Sequence, residues 1–395
     1  MRFKHVPEDF QVEELLAIRP APRGTYPVYR VEKRGLPTLA VHDRLAARFG
    51  IPPGAVRFPA LKDKDAVAVQ YCTVDAPSAS AWVSGPGFTA RRVGFLPRPL
   101  SPRDLAGNRF RIVLRDLDPA EAPALRARWE ALACAGFPNY FDLQRFGSWS
   151  QAFGFPGKLI LMGDVEGALR CYLAEPLVGD PPPILRFKKF AREHWGDWAT
   201  LKAHAPKSNL RSVLTYLCDH PGDFKKALNL VTPRVLAVWL SAYQSFLWNE
   251  VASRCLAGAL SGAGVALAHL ALPLGKLVIP RKPVPAELAA RFLATEIALP
   301  SAKARPADPE VKAAVEEVLA EEGLSLSDLK ARPLKHAYLG QGSRKLWVVP
   351  AEPHWLGDSE DELFPGRRKV ALLFALPPGS YATLFLRLLS AGKSP

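Results

Sequence analysis

Leu61-Lys62-Asp63-Lys64-Asp65 sets alternating charges directly before Ala66 to Val74 (AVAVQYCTV), an apolar run that reads as a buried strand. A carboxylate flanked by ammonium groups is favoured in its ionised form, and such an Asp is a competent nucleophile or general base. In an extended segment Lys62 and Lys64 point away from Asp63, so a direct partner for its carboxylate must come from a bend or from elsewhere in the chain. From composition alone a charged turn before a strand accounts for the same residues.

Two further segments carry groups suited to holding a nucleobase. Asn139-Tyr140-Phe141, followed by Gln144-Arg145-Phe146-Gly147, offers an amide for base edges, a flat ring for stacking and a guanidinium for phosphate. Pro377-Pro378-Gly379-Ser380-Tyr381-Ala382-Thr383 is a stiff turn suited to holding the tyrosine ring against a flipped base. Plainer readings are a crossover with buried aromatics and a turn into a C-terminal helix. The eight histidines have no metal-ligand spacing, and no zinc-protease, phosphate-loop or dinucleotide motif occurs, so neither a metal nor a nucleotide cofactor is expected. Asp63 with Asp65 suggests a glycosidase pair, but a strongly basic chain fits a sugar polymer poorly.

Basic residues gather in two places. Seven arginines (91, 92, 98, 103, 109, 111, 115) between prolines suit a groove that follows a phosphate backbone, and Leu185-Arg186-Phe187-Lys188-Lys189-Phe190 interleaves rings with cations. Taken alone, each is more often an ordinary solvated face. The whole chain carries 52 Lys and Arg against 38 Asp and Glu, a formal charge of +14, which implies a polyanionic partner. The N-terminal MRFKHVPEDFQVEELL lacks the apolar stretch of a signal peptide, and no window nears 18 uninterrupted apolar residues, so a cytoplasmic location and no membrane partner are expected. Five widely spaced cysteines indicate neither a disulfide framework nor a zinc site.

The elements that must position these groups fall into three stretches. Tyr26 to Glu32 and Arg109 to Arg115 read as strands, with Phe110, Ile112 and Leu114 on one face and a basic face opposite. Thr38 to Phe49 and the segment opened by Asp118-Pro119 read as helices. From about Gly157 to Leu346 the pattern is mainly helical, with long helices opening at Thr232-Pro233 and Asp308-Pro309. Strand signals return at Leu346 to Val349 and Val370 to Leu376. A sheet domain built from both chain ends, with a mainly helical insertion, is the simplest organisation.

Five ordered blocks resemble the TruD family of tRNA pseudouridine synthases. They are Lys4 with Pro7-Glu8-Asp9-Phe10-Gln11-Val12-Glu13-Glu14; Leu61-Lys62-Asp63-Lys64 with Ala66-Val67 and Gln70; Gly107-Asn108-Arg109-Phe110; Pro138-Asn139-Tyr140-Phe141 with Gln144-Arg145-Phe146-Gly147; and Leu376-Pro377 with Gly379-Ser380-Tyr381-Ala382-Thr383. Ser241 to Asn249 is similar to the family's long helix. The resemblance implies an α+β fold of the pseudouridine synthase type, a mixed or antiparallel sheet flanked by helices, with an inserted, mainly helical α/β TRUD domain. The expected limits are 1–156 and 346–395 for the catalytic domain and 157–345 for the insertion.

The same resemblance implies isomerisation of uridine to pseudouridine in tRNA, at uridine 13, with Asp63 as nucleophile, Lys4 or Lys62 as its basic partner, and no cofactor. Phe10, Phe141 and Tyr381 are expected to hold the flipped base, with Asn139 reading the uracil edge. The expected partner is tRNA and the expected state a monomer. The rivals are a non-catalytic RNA-binding protein, a pseudouridine synthase for another RNA site, and a nuclease or hydrolase, which the missing metal-ligand cluster disfavours.

Overall fold

Apolar residues alternating at Phe110, Ile112 and Leu114 give one sheet face its core, and in the computed structural model they lie on the longest strand of a nine-stranded sheet. The structure describes residues 1–77, 79–177 and 180–390. Contacts divide the chain into two units, Met1–Phe137 with the chain from Val348 onward, and Pro138–Trp347. The expected limits of 156 and 345 do not coincide with these divisions: residues 138–156 and 346–347 group with the second unit.

The sheet lies in the first unit. Its strands are β1 (Phe10–Leu16), β2 (Tyr26–Arg34), β3 (Val56–Arg57), β4 (Val67–Val74), β5 (Trp82–Gly85), β6 (Phe88–Leu96), β7 (Leu105–Leu117), β8 (Ala351–Glu360) and β9 (Arg368–Leu376). The order is β8-β9-β7-β1-β4-β2-β6-β5, with β3 beside β4. β1 and β4 are parallel while the other neighbours are antiparallel, so the sheet is mixed.

Register aligns one row across five strands: Phe374 faces Phe110, Phe110 faces Val12, Val12 faces Ala68, and Ala68 faces Lys33. All five are buried. Helix α1 (Thr38–Phe49) packs Val41, Leu45 and Ala46 into a cluster with Tyr29, Val31 and Cys72, and ends at Gly50 in the left-handed region (φ 66°). Helices α2 (Ala122–Ala135) and α3 (Ala382–Ser390) bring Trp129 and Phe385 onto Phe374, with ring centroids 5.9 and 4.8 Å away. Burial of each such ring contributes roughly 2–3 kcal/mol. A Cβ on Gly107 would stand 2.4 Å from the Leu376 carbonyl oxygen, so only glycine lets β7 approach the end of β9 here.

The second unit is mainly helical. Its 30-residue helix Pro233–Gly262 is buried nearly all round its middle, including Tyr243, Leu247, Trp248 and Val251, while Arg234 and Val238 of its first turns are exposed. Helix Pro309–Glu321 starts where Asp308 accepts from the Glu310 and Val311 amides, and buries Val311, Ala314, Val315, Val318 and Leu319. A hairpin, Leu267–Leu272 with Gly275–Pro280, and a short pair, Glu296–Ala298 with Ser343–Lys345, complete the strands named here. No helix among the described residues is long and apolar enough to cross a membrane.

Candidate active site

Asp63 sits in a loop held from both sides. The Thr38 hydroxyl accepts from the Lys62 amide at 2.9 Å and donates to Gln70 Oε1 at 2.8 Å, while Gln70 Nε2 donates to the Ala60 carbonyl at 2.9 Å. From below, Lys33 Nζ donates to the main-chain oxygens of Asp63, at 2.5 Å, and Leu36, at 2.8 Å. Lys33 is 1% exposed, and burial lowers its pKa to about 8 against the opposing pull of the Asp63 and Asp65 carboxylates, with Lys62 adding to the fall. The loop backbone is thereby fixed while the Asp63 side chain stays about half exposed.

The ammonium beside Asp63 belongs to Lys4, whose Nζ lies 2.7 Å from Asp63 Oδ2. Lys4 takes a left-handed backbone conformation (φ 60°), uncommon for a residue with a side chain. Its segment is anchored on both flanks. Arg2 and Arg115 exchange backbone hydrogen bonds at 2.8 Å, and the Val6 amide donates to Asp9 Oδ2. Arg115, buried, donates to Asp9 and Asp361, each at 2.8 Å, so one guanidinium ties the N-terminal segment to the chain between β8 and β9. Phe10 is 5% exposed and has the Lys4 ammonium 4.3 Å from its ring centroid, which makes the ring a platform for that lysine.

Lys62 engages partners other than the Asp63 carboxylate. Its Nζ pairs with Glu14 Oε1 at 3.0 Å and donates to Asn108 Oδ1 at 2.8 Å, and the Tyr71 amide donates to Glu14. Asn108 faces Glu14 on β1 and Leu376 on β9. The turn after Leu376 runs through Gly379 (φ 82°) to the half-buried Tyr381, whose carbonyl oxygen accepts from the Phe385 amide at the head of α3.

In the second unit, Asn139 and Phe141 are organised by Arg344. Its guanidinium donates to the Asn139 carbonyl at 2.6 Å, to Asn139 Oδ1 at 2.9 Å and to the Tyr140 carbonyl at 3.3 Å. It also covers the Phe141 ring at 4.1 Å. Asn139 Nδ2 donates to the Lys345 carbonyl, so both ends of this amide already have protein partners. Asn249 fixes the Phe141 backbone from the other side, accepting from its amide at 2.8 Å and donating to its carbonyl at 2.9 Å. Neither Arg344 nor Lys33 stood out in the sequence. For Lys33 a signal existed, since it continues the inward alternation of Tyr29 and Val31.

The expected basic surfaces are partly consumed by structure. Arg98 pairs with Asp104, Arg109 with Glu352, and Arg115 is buried among carboxylates, so three of the seven arginines in the stretch are engaged within the protein, while Arg91, Arg103 and Arg111 are exposed. In helix Pro182–Glu193, Phe187 and Lys188 face inward, the lysine pairing with Asp180 at 2.8 Å, and only Arg186 and Lys189 of that cluster's cations are exposed. A helical period of 3.6 explains this: half of any interleaved cluster must point into the core.

The chain matches the family model described as tRNA pseudouridine synthase D (TruD) over residues 1–389. It is 27% identical to a probable tRNA pseudouridine synthase D 1 of Methanococcus maripaludis, across 98% of either chain. Its identity to a tRNA pseudouridine synthase D of Aquifex aeolicus is also 27%, across 98% of this chain and 97% of that one. Among solved structures, that of a putative TruD protein from Methanosarcina mazei superposes with a TM-score of 0.70 at 24% identity, covering 99% of this chain and 92% of that one, a likeness of fold.

Proposed function

The chain belongs to the TruD family of tRNA pseudouridine synthases, isomerases that convert uridine to pseudouridine in tRNA, and we propose that it acts at uridine 13 with Asp63 as nucleophile on a flipped-out base. The observation that carries this reading is the Lys4–Asp63 pair at 2.7 Å: a half-exposed carboxylate, reachable by substrate, with an ammonium anchored beside it. The carboxylate attacks the nucleotide, and the N1–C1′ bond opens with its electron pair left on uracil. The held ring turns, C5 bonds to C1′, the C5 proton is lost to solvent and N1 gains one, and Asp63 is released unchanged. Atoms balance, and the step consumes no co-reactant.

The proposed division of labour follows from the contacts. Lys4 balances the Asp63 charge, and Phe10 supports Lys4. Lys62, engaged by Glu14 and Asn108, braces the loop. Tyr381, in the first unit, is a proposed stacking face for the extruded base, and Phe141, in the second, is proposed separately as a base-stacking ring. Asn139, whose amide is held by Arg344 and Lys345, shapes the segment that presents Phe141, and reads a uracil edge only if those bonds yield. The proposed catalytic domain is the first unit and the proposed TRUD domain the second.

The test uses tRNA transcripts tritiated at uridine C5, with label release followed for wild-type and Asp63→Asn protein and the product position mapped. Release at position 13 by wild type alone supports the reading, whereas turnover by Asp63→Asn removes the nucleophile assignment.

A further inference from the structure

Between Asp328 and Glu352 the sequence has no acidic residue but carries Lys330, Arg332, Lys335, Arg344 and Lys345. In the middle of this stretch Tyr338 is 80% exposed, more than any other large hydrophobic side chain among the described residues. The ring is not on a loose loop. Its neighbours Ala337 and Leu339 are buried at 6% and 7%. Before it, Asn229 donates to the Pro333 carbonyl and accepts from the Lys335 amide, both at 2.8 Å. After it, Gln244 donates to the Gly340 carbonyl at 2.8 Å. A strap whose backbone is pinned on both sides thus presents an aromatic face to solvent.

Its surroundings are cationic. Lys330, Arg332 and Lys335 are exposed along the strap. The Asn229 amide group that holds Pro333 also donates to the Lys225 carbonyl at 2.8 Å, which brings exposed Lys225 alongside. Asp328, the acid preceding the strap, is occupied by the amide and hydroxyl of Ser325.

We infer that this strap is an RNA-contacting surface in which Tyr338 stacks on an unpaired nucleobase of the tRNA while Lys335, Arg332 and Lys225 neutralise flanking phosphates. A flat ring held among cations matches a base π-face between regularly spaced charges. A membrane would call for a wider apolar patch, and here the adjoining apolar side chains point inward. An acidic peptide would satisfy the cations but leave the ring without a flat partner. The inference rests on the reading that tRNA is the substrate, and it adds a contact that does not touch the Asp63 loop chemistry.

Steady-state label release from C5-tritiated tRNA, at several salt concentrations, tests it with wild type, Tyr338→Ala, Tyr338→Phe and Lys335→Ala. Tyr338→Ala should raise KM about tenfold with kcat unchanged, and Tyr338→Phe should stay within about twofold of wild type. Lys335→Ala should make log KM depend less steeply on log salt, by about one phosphate contact. An unchanged KM for Tyr338→Ala overturns the inference, as does an equal KM rise for Tyr338→Phe. If the wild type releases no label, the activity reading fails instead, and filter retention of the same tRNA by wild type and Tyr338→Ala still decides the strap.

Discussion

The ammonium of Lys33 holds the main-chain oxygen of Asp63 at 2.5 Å from a fully buried position at the end of an otherwise apolar row across the sheet. It touches the backbone of the proposed nucleophile and not its carboxylate. Lys33 therefore acts on where the loop lies, and Lys4 acts on the charge the loop carries.

Turnover is expected to fall as pH rises through about 8, where the buried Lys33 loses its proton. The groups facing it, Asp63, Asp65 and Lys62, lie on the same loop. Stability has the opposite sign. In the unfolded chain the lysine keeps its proton to its ordinary value near 10.5, so between the two values the unfolded state binds more protons and the destabilisation from the buried charge is relieved as pH rises. Activity should thus drop without a matching drop in Tm. Rate–pH profiles of wild type and Lys33→Met check it: the variant should be slower and lack this alkaline limb, and a wild-type profile flat to pH about 9.5 contradicts the role.

Lys4→Gly separates charge from backbone. Glycine tolerates the left-handed conformation at this position, so unfolding free energy should hold or rise by up to about 1 kcal/mol. Label release should nevertheless slow about tenfold or more, because Asp63 loses its ammonium. Undiminished turnover would move the essential cation elsewhere.

Arg344→Met removes three hydrogen bonds to the Asn139–Tyr140 backbone and side chain. Unfolding by denaturant should register a loss of about 2–4 kcal/mol. A loss below about 0.5 kcal/mol would mean that the segment is organised without it.

Phe141→Ala should weaken capture of the target base by about 1–3 kcal/mol if the ring stacks on it. Binding of tRNA carrying 5-fluorouridine at the target position, compared with wild type, measures this. Equal binding assigns Phe141 to packing against Trp248 and Arg344 alone.

The fold was readable where pattern and packing agree. A continuous apolar run located β4, alternation located β7, Gly50 ended α1, and Asp308-Pro309 opened the helix it was expected to open. The sequence could not choose the basic partner of Asp63, because Lys4 reaches it from a left-handed backbone conformation in a segment held at Asp9 by Arg115, 106 residues beyond Asp9. Charge clusters misled for a related reason. Sequence shows that Arg98, Arg109 and Arg115 are cationic, but not that Asp104, Glu352 and Asp361 stand beside them. Arg344 left no local trace, since its partners lie some 205 residues upstream.

Placing β9 against β7 also sets an order of assembly during synthesis. β7 leaves the ribosome with β1 on one side and nothing on the other, and its second neighbour is made only after residues 138–347 have emerged. Until then the strand offers an unpaired edge, a liability that a folded insertion shortens in time but does not remove. A chain cut short before Arg368 would lack β9 and leave that edge of β7 without its partner strand.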